Sequence, residues 1–331
     1  MKSLLNRLIE HQTLSQEEAR NVLINMAEGK YNDSQISAFL TTYLMRSITI
    51  QELFGFREAL LLMTRPVDLK EFDAVDIVGT GGDHKNTFNI STLSCFVTAG
   101  AGYKVAKHGN FGASSISGAS NVLEHLGVKF SNDEDVLKRS IETSGVAYLH
   151  APMFNEAMKR VAPARKSLGV RTLFNILGPL VNPSRPNKML LGVFNLKLAR
   201  LYSYLYQHTS EQFAIVNSLD GYDEISLTSP FKVVTSKGEF IYNPEDLDFL
   251  TCSQESLSGG DSVASAAQIF LDVLGNSATE AQKSCVLANS AFAIQTANNA
   301  LTISECLALA KESLESGAAK KSFLQFQSLN S

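Results

Sequence analysis

The sequence predicts a two-part α/β protein. Residues 1–70 form a small all-helical N-terminal domain, joined by a segment near 165–180. Residues 71–331 form a large α/β domain whose mostly parallel central sheet is flanked by helices. Three observations predict this. Helical periodicity and capping signals alone fill residues 1–66. At Asp73 the pattern changes to short apolar runs that lead into glycine-rich segments and then into helix starts. Parallel strands need crossover connections, and this alternation supplies them as helices. Finally, 44% of the 331 residues are hydrophobic, enough for the core such a sheet requires.

The elements follow in order. Ser15 and Glu18 make a capping box, in which side chain and backbone satisfy each other's orphan groups; the run it opens stops near Gly29. Asp33 or Ser34 caps the next helix, carried by Ile36, Phe39, Leu40, Tyr43 and Leu44. Thr49 and Glu52 open a helix over residues 53–63, ended by Pro66. Rich in Leu and Ile on one face, these short helices need a surface to pack on, either a helical subdomain or an oligomer contact. Residues 74–78 then read as a strand, 91–100 as a helix and 103–106 as a second strand. Residues 121–126 read as a helix closed by Gly127, and 146–149 and 213–216 as buried strands. Residues 168–183, punctuated by glycine and proline, read as a crossing or hinge. The tail is helical over 264–274, 280–298 and 304–316, the last opened by a Thr302–Glu305 capping box.

A net charge of −4 argues against a basic nucleic-acid groove. Cys95, Cys252, Cys285 and Cys306 form no CxxC pair and have no histidine at zinc spacing, so they read as small buried hydrophobes of a reduced, cytoplasmic protein. The N-terminal residues lack the apolar core of a signal peptide, and no apolar run reaches membrane-spanning length.

Chemistry concentrates between residues 79 and 115. Gly79-Thr80-Gly81-Gly82-Asp83 follows a strand, Asn89-Ile90-Ser91-Thr92 starts a helix, and Lys107-His108-Gly109-Asn110 follows the second strand. Glycines let backbone approach an anion, and helix N-termini offer free N–H groups and a positive dipole end. Three such elements point to a ligand with more than one phosphate. Ser114 and Ser115, with Gly112 before them, extend the second loop. Asp223 and Glu224 follow the strand at 213–216 and read either as surface charge or as holders of Mg²⁺ beside a phosphate. Asp76, within a strand, reads as structural. Arg165 reads either as part of a solvated basic face or as a bidentate partner for a substrate carboxylate.

Taken in this order, the motifs resemble the anthranilate phosphoribosyltransferase family over essentially the whole chain. Those named above are joined by Ala157-Met158-Lys159, Leu168-Gly169, Arg171-Thr172 and the run from Phe174 to Pro183. The resemblance implies transfer of the 5-phosphoribosyl group from 5-phosphoribosyl 1-diphosphate to anthranilate in tryptophan biosynthesis. It also implies a homodimer joined through the helical domain, and two Mg²⁺ ions per monomer. On the same ground Gly79, Gly82, Asp83, Thr87, Asn89, Ile90, Ser91 and Thr92 surround the donor. So do Lys107, His108, Gly109, Asn110, Phe111, Gly112, Ala113, Ser114, Ser115 and Ala119. Gly79, Asn110 and Arg165 contact anthranilate, and Ser91, Asp223 and Glu224 hold metal. Three positions depart from the family's pattern. Phe111 stands where arginine is common, Ala119-Ser120-Asn121 where Ser-Ala-Asp is common, and Asn155-Glu156 where His-Pro is common. The first two remove donor contacts.

No nucleophile is poised for a covalent intermediate, and His108 is the imidazole nominated as general base. Two other readings remain at this level: a pyrimidine nucleoside phosphorylase of shared architecture, and a nonenzymatic nucleic-acid-binding relative lacking the metal acids.

Overall fold

The structure, a computed structural model, describes residues 1–112, 116–155, 157–207 and 209–331. The chain divides into two compact units, Met1–Pro66 with Ala151–Pro183, and Val67–His150 with Ser184–Ser331.

The first unit is helical: Lys2–Ile9, Gln16–Ala27, Asp33–Met45 and Ile50–Met63, then Ala151–Phe154, Ala157–Leu168 and Leu173–Leu177. The Ser15–Glu18 and Thr49–Glu52 boxes both form. The third helix starts one residue earlier than expected. Asn32 caps it, reciprocally with Gln35, and Asp33 occupies the first turn, where its charge favours the dipole. Phe39, Tyr43 and Phe56 pack as a tilted and edge-to-face trio, with ring centroids 5.0–6.0 Å apart. Residues 168–183 are not a bare hinge: they contain the Leu173–Leu177 helix and a tight Gly178–Leu180 turn.

The second unit is built on β1 (Val75–Gly79), β2 (Val105–Gly109), β3 (Val146–His150), β4 (Lys188–Gly192), β5 (Gln212–Ser218), β6 (Phe231–Thr235) and β7 (Gly238–Tyr242). The sheet order is β3-β2-β1-β4-β5-β6-β7. The first five strands are parallel; β6 and β7 add antiparallel at one edge. The predicted class therefore holds, with two corrections of detail. The second strand runs two to three residues later than expected. Its pairing with β3, from Val105 opposite Val146 to Gly109 opposite His150, draws Lys107, His108 and Gly109 into the sheet. Strands β4, β6 and β7 were not anticipated; β7 is an edge strand with Phe240 and Ile241 exposed, so it carries no burial alternation.

Two helices form much of the core beside the sheet. Ile90–Gly100 contributes Phe96, which packs edge-on against Phe270, Phe323 and Phe326. Glu280–Ala297 is buried along most of its length. All four cysteines are free, and Cys252 alone is partly exposed.

Candidate active site

The sheet order reverses between β1 and β4. Crossovers leave such a point to opposite sides and open a crevice beyond the carboxyl ends of the strands. Gly79 and Gly192, the last residues of those strands, face each other in register. Asp223 fills the space their missing side chains leave: a Cβ on Gly192 would overlap its main-chain oxygen, and one on Gly79 its carboxylate. Asp223 Oδ2 accepts the Gly81 amide at 2.6 Å. Glu224 Oε1 accepts the Ser91 amide at 2.9 Å, in the first turn of the Ile90–Gly100 helix. The structure thus docks the acid pair onto the glycine loop after β1 and onto the start of the helix that follows it.

The loop after β1 is strained. Gly81, Gly82, His84 and Asn86 all lie at left-handed φ, 64°, 72°, 62° and 48°. Only the glycines adopt that region without steric cost, and such strain concentrates at functional sites. Asn89 precedes the helix but does not cap it with its side chain. Instead, among the described residues, Asn89 Oδ1, Thr80 Oγ1 and Thr92 Oγ1 are buried without a hydrogen-bond partner. Leaving a buried polar atom unpaired costs about 1–3 kcal/mol, so these three atoms, one after β1 and two at the helix start, are candidates to meet a ligand's polar groups. Asp83 Oδ1 accepts the Lys85 amide at 3.1 Å, and Thr87 bridges to Ser258.

Lys107 is not a loop charge. It is buried in β2, and its Nζ donates to Ile77 O at 2.6 Å and to Ser91 Oγ at 3.4 Å, bracing the start of the helix. The His108 amide donates to Asp76 Oδ1 at 3.1 Å, which gives the fully buried Asp76 the structural role expected of it. Beyond β2, the exposed Asn110 accepts the Ser120 amide on its carbonyl and the Phe111 amide on its side chain. Asn121 Oδ1 takes the amides of both Gly112 and Gly118, closing the loop at its base. Phe111 sits edge-on to His150, 4.9 Å between centroids, and Phe130 stacks on the same ring at 4.4 Å. Ser120 Oγ lies 2.9 Å from His150 Nδ1 and 2.8 Å from Tyr148 Oη, and burial pushes His150 down to about 4. The departures at 111, 120 and 121 are therefore packed and hydrogen-bonded as a set. Ala119 opens the Ala119–His125 helix and brings no hydroxyl. Ala113, Ser114 and Ser115 lie outside the described residues. Arg165 belongs to the helical unit, where its guanidinium lies 5.3 Å from the Phe174 ring centroid and burial lowers its proton affinity.

Burial, with the charges of Asp83 and Glu224, pushes the Asp223 carboxyl well above its usual value; the Gly81 amide only partly offsets this. Burial also raises Glu224 to about 7, against the Ser91 amide and Lys107. Among the described residues no three His, Cys, Asp or Glu side chains form a ready cage. Two hard carboxylates that crowd each other suit a cation completing its shell with a ligand's phosphates, which is how Mg²⁺ binds.

Reading residues in sequence missed four that build this site: Gly192, Asn217, Ser218 and Asn289. Gly192 had a usable signal, ending the apolar run of Met189, Leu190 and Leu191; the others become visible only when the fold brings distant segments together.

A family profile described as "Glycosyl transferase family, a/b domain" matches residues 71–320, and one described as "Glycosyl transferase family, helical bundle domain" matches residues 2–62. The chain is 58% identical over 330 residues to an anthranilate phosphoribosyltransferase of Bacteroides thetaiotaomicron, covering 100% of this chain and 99% of that one. Identity to the Flavobacterium psychrophilum enzyme of the same name is 56% over 330 residues, covering 100% of both chains. In structure it is similar to the Thermus thermophilus enzyme, with TM-score 0.87 and 31% identity, covering 98% of each chain. It is similar too to the Saccharomyces cerevisiae enzyme in complex with PRPP and Mg, with TM-score 0.89 and 27% identity, covering 99% of this chain and 96% of that one.

Proposed function

This chain belongs to the anthranilate phosphoribosyltransferase family and performs its reaction, phosphoribosyl transfer to the amine of anthranilate, and we propose how its residues do so. The observation that carries the assignment is the docking of Asp223 on the Gly81 amide and of Glu224 on the Ser91 amide. It places two acids, a glycine loop and a helix N-terminus at one crevice.

Anthranilate's aromatic amine is a weak nucleophile, so the work lies in holding the partners in line and in stabilising the leaving group. The C1–O bond to diphosphate breaks, the C1–N bond forms, and the amine then loses a proton. Thr80 and Thr92 donate their unpaired hydroxyls to the donor's phosphates, and Asn89 Oδ1 accepts a ribose hydroxyl. The proposed donor set also includes Gly79, Gly82, Asp83, Thr87, Ile90 and Ser91. From β2 onward it takes in the stretch from Lys107 through Ser115, with Ala119. Lys107 acts from behind, fixing Ser91. Arg165 is the proposed partner of the anthranilate carboxylate, and Gly79 and Asn110 are the other proposed anthranilate contacts. Mg²⁺, when held by Ser91, Asp223 and Glu224, would neutralise the charge that builds on the departing diphosphate; the cerevisiae relative in complex with PRPP and Mg supports PRPP and Mg²⁺ as ligands. Bound anthranilate is supported by another cerevisiae structure, a complex with 4-fluoroanthranilate.

Two Mg²⁺ per subunit, a cytoplasmic location and a homodimer joined through the helical unit complete the proposal. That unit leaves Ile9, Leu44, Met45 and Leu62 exposed, apolar side chains that a partner subunit could cover. No described helix is long and apolar enough to cross a membrane. The test follows anthranilate fluorescence after mixing protein, 5-phosphoribosyl 1-diphosphate and Mg²⁺. Decay that chelator abolishes, and that Asp223→Asn with Glu224→Gln abolishes, is the expected result. Decay that persists in the double variant overturns the metal assignment.

A further inference from the structure

We propose that Asn289 is a positioning residue for the metal acids, fixing from the Glu280–Ala297 helix the height at which Asp223 and Glu224 enter the crevice. The inference rests on the assignment of those two acids to Mg²⁺.

Asn289 is buried, and its carboxamide pairs with both main-chain groups of Ile225, the residue after Glu224. Its Oδ1 accepts the Ile225 amide at 3.1 Å, and its Nδ2 donates to the Ile225 carbonyl at 2.8 Å. The same Nδ2 donates to Cys285 O one turn back, also at 2.8 Å, which fixes the side chain's direction. A side chain tied to its own helix and to both sides of one peptide segment acts as a rigid spacer. One turn earlier on the same face, the Cys285 thiol donates to Ser226 O at 2.8 Å.

The opposite side of the segment is fixed from β5. Ser218 Oγ donates to Glu224 O at 2.7 Å and accepts the Ser226 amide at 3.0 Å. Asn217 Nδ2 donates to Val193 O at 2.7 Å and to Tyr222 O at 3.4 Å. Residues 222–226 are thus gripped between strand and helix. A physical reason for the grip is at hand: two adjacent acids in a buried crevice, with Asp83 nearby, repel one another and gain by moving toward water. Immediately beyond, the buried Leu227 is held at φ 58°, a left-handed conformation that a leucine keeps only where its surroundings over-determine it. Asn289 bonds that frame without touching the carboxylates. Removing it should loosen the metal while leaving the anthranilate subsite alone.

The experiment compares full-length wild type with Asn289→Ala and Asn289→Ser, measuring the Mg²⁺ concentration for half-maximal rate, the KM for anthranilate, and the melting temperature with and without Mg²⁺ and donor. Loss of an outer partner of a metal ligand typically weakens metal binding about 10–100-fold. The expected result is a rise of about tenfold or more in half-saturating Mg²⁺, with anthranilate KM changed less than about twofold. If Asn289→Ala fails to fold, Asn289→Ser, which keeps a hydroxyl in the space, decides the matter by the same readouts. A lower melting temperature with unchanged Mg²⁺ dependence in the folded variant overturns the proposal and makes Asn289 a core residue only. Asp223→Asn with Glu224→Gln runs alongside. If that control keeps normal Mg²⁺ dependence, the metal assignment falls and this inference falls with it. If the control loses it and Asn289 variants do not, this inference alone falls.

Discussion

The two units each bury acids, and they treat them in opposite ways. In the helical unit, Glu52 is fully buried with its cation built in. Arg46 donates to both carboxylate oxygens; Leu14 N, Tyr43 Oη, Thr49 N and Thr49 Oγ1 supply the rest at 2.9–3.0 Å. Burial works to raise Glu52, but the Arg46 hydrogen bonds and the backbone amides of Thr49 and Leu14 outweigh it and hold the carboxyl below its usual value. In the sheet unit, Asp223 and Glu224 receive one amide each, face Asp83, and are both pushed up. A saturated buried carboxylate is architecture. An under-satisfied pair of them is a site prepared for something that arrives later. Glu52 and Asp223 are both buried and Glu224 partly so, and the inventory of donors separates the roles.

The largest effect that tests this contrast is chemical. Asp223→Asn with Glu224→Gln should lower the rate at saturating substrates by at least about a hundredfold, the scale on which transition-state charge stabilisation is lost, while the melting temperature without Mg²⁺ stays the same or rises. Fluorescence kinetics and a thermal melt decide it. A fall in stability matching the fall in activity would erase the distinction between the two acid sites. Arg46→Ala asks the reverse. Leaving Glu52 buried without its partner should destabilise the helical unit by about 3–5 kcal/mol, read from urea unfolding, with half-saturating Mg²⁺ unchanged in the protein that remains folded.

The same contrast gives opposite signs with pH. Glu52 has a lowered folded value, so its contribution is present above the ordinary carboxylate range near 4.5 and is lost as pH falls through that lowered value. Glu224 has a raised one, about 7, so its contribution is intact below 4.5 and is lost as pH climbs through 7. Asp223 shifts in the same direction. Melting temperature against pH, without Mg²⁺, should therefore decline on both flanks. Glu52→Gln should flatten the acid flank and Asp223→Asn with Glu224→Gln the alkaline one. Alkaline loss unaffected by the double variant would place its origin elsewhere.

Much of this was legible in residues because local chemistry decides it. The boxes at Ser15, Thr49 and Thr302 are short-range, and all three form. The glycine loop after β1 and the helix start at Ile90 also rest on neighbours in sequence. What failed was decided at long range. Lys107 entered a strand because β3 extends to His150. The edge strand β7 carries no alternation to read. Within the site, the side chains proposed to meet the ligand have motif neighbours, whereas Asn217, Ser218 and Asn289, which hold the backbone, have none.

Gly192 offers a middle-sized test of the crevice itself. Gly192→Ala would drive a methyl into Asp223 O, with main chain on both sides and no flexible end to yield. Overpacking of this kind costs about 1–3 kcal/mol. Because the displaced atom belongs to one of the proposed metal acids, half-saturating Mg²⁺ should rise together with the loss of stability. Stability loss without any change in Mg²⁺ dependence would mean that the position of Asp223 O is not coupled to the metal.

The smallest effect belongs to His108. It is the nominated base as the imidazole beside the glycine-rich loops; in the structure its amide is held by Asp76 and it sits buried near the end of β2. Once the C–N bond forms, however, the aromatic ammonium is strongly acidic, and water accepts its proton without assistance. General-base catalysis contributes only where proton transfer is part of the slow step. His108→Asn should therefore cost less than about tenfold in kcat and leave the pH–rate profile unshifted. A loss of about a hundredfold or more, with the acid limb of the profile abolished, would make His108 the base and move proton transfer into the rate-limiting step. In that case the sheet unit would contain two prepared elements, one awaiting a cation and one awaiting a proton, and the donor inventory that separates Glu52 from Asp223 would have to include imidazoles as well.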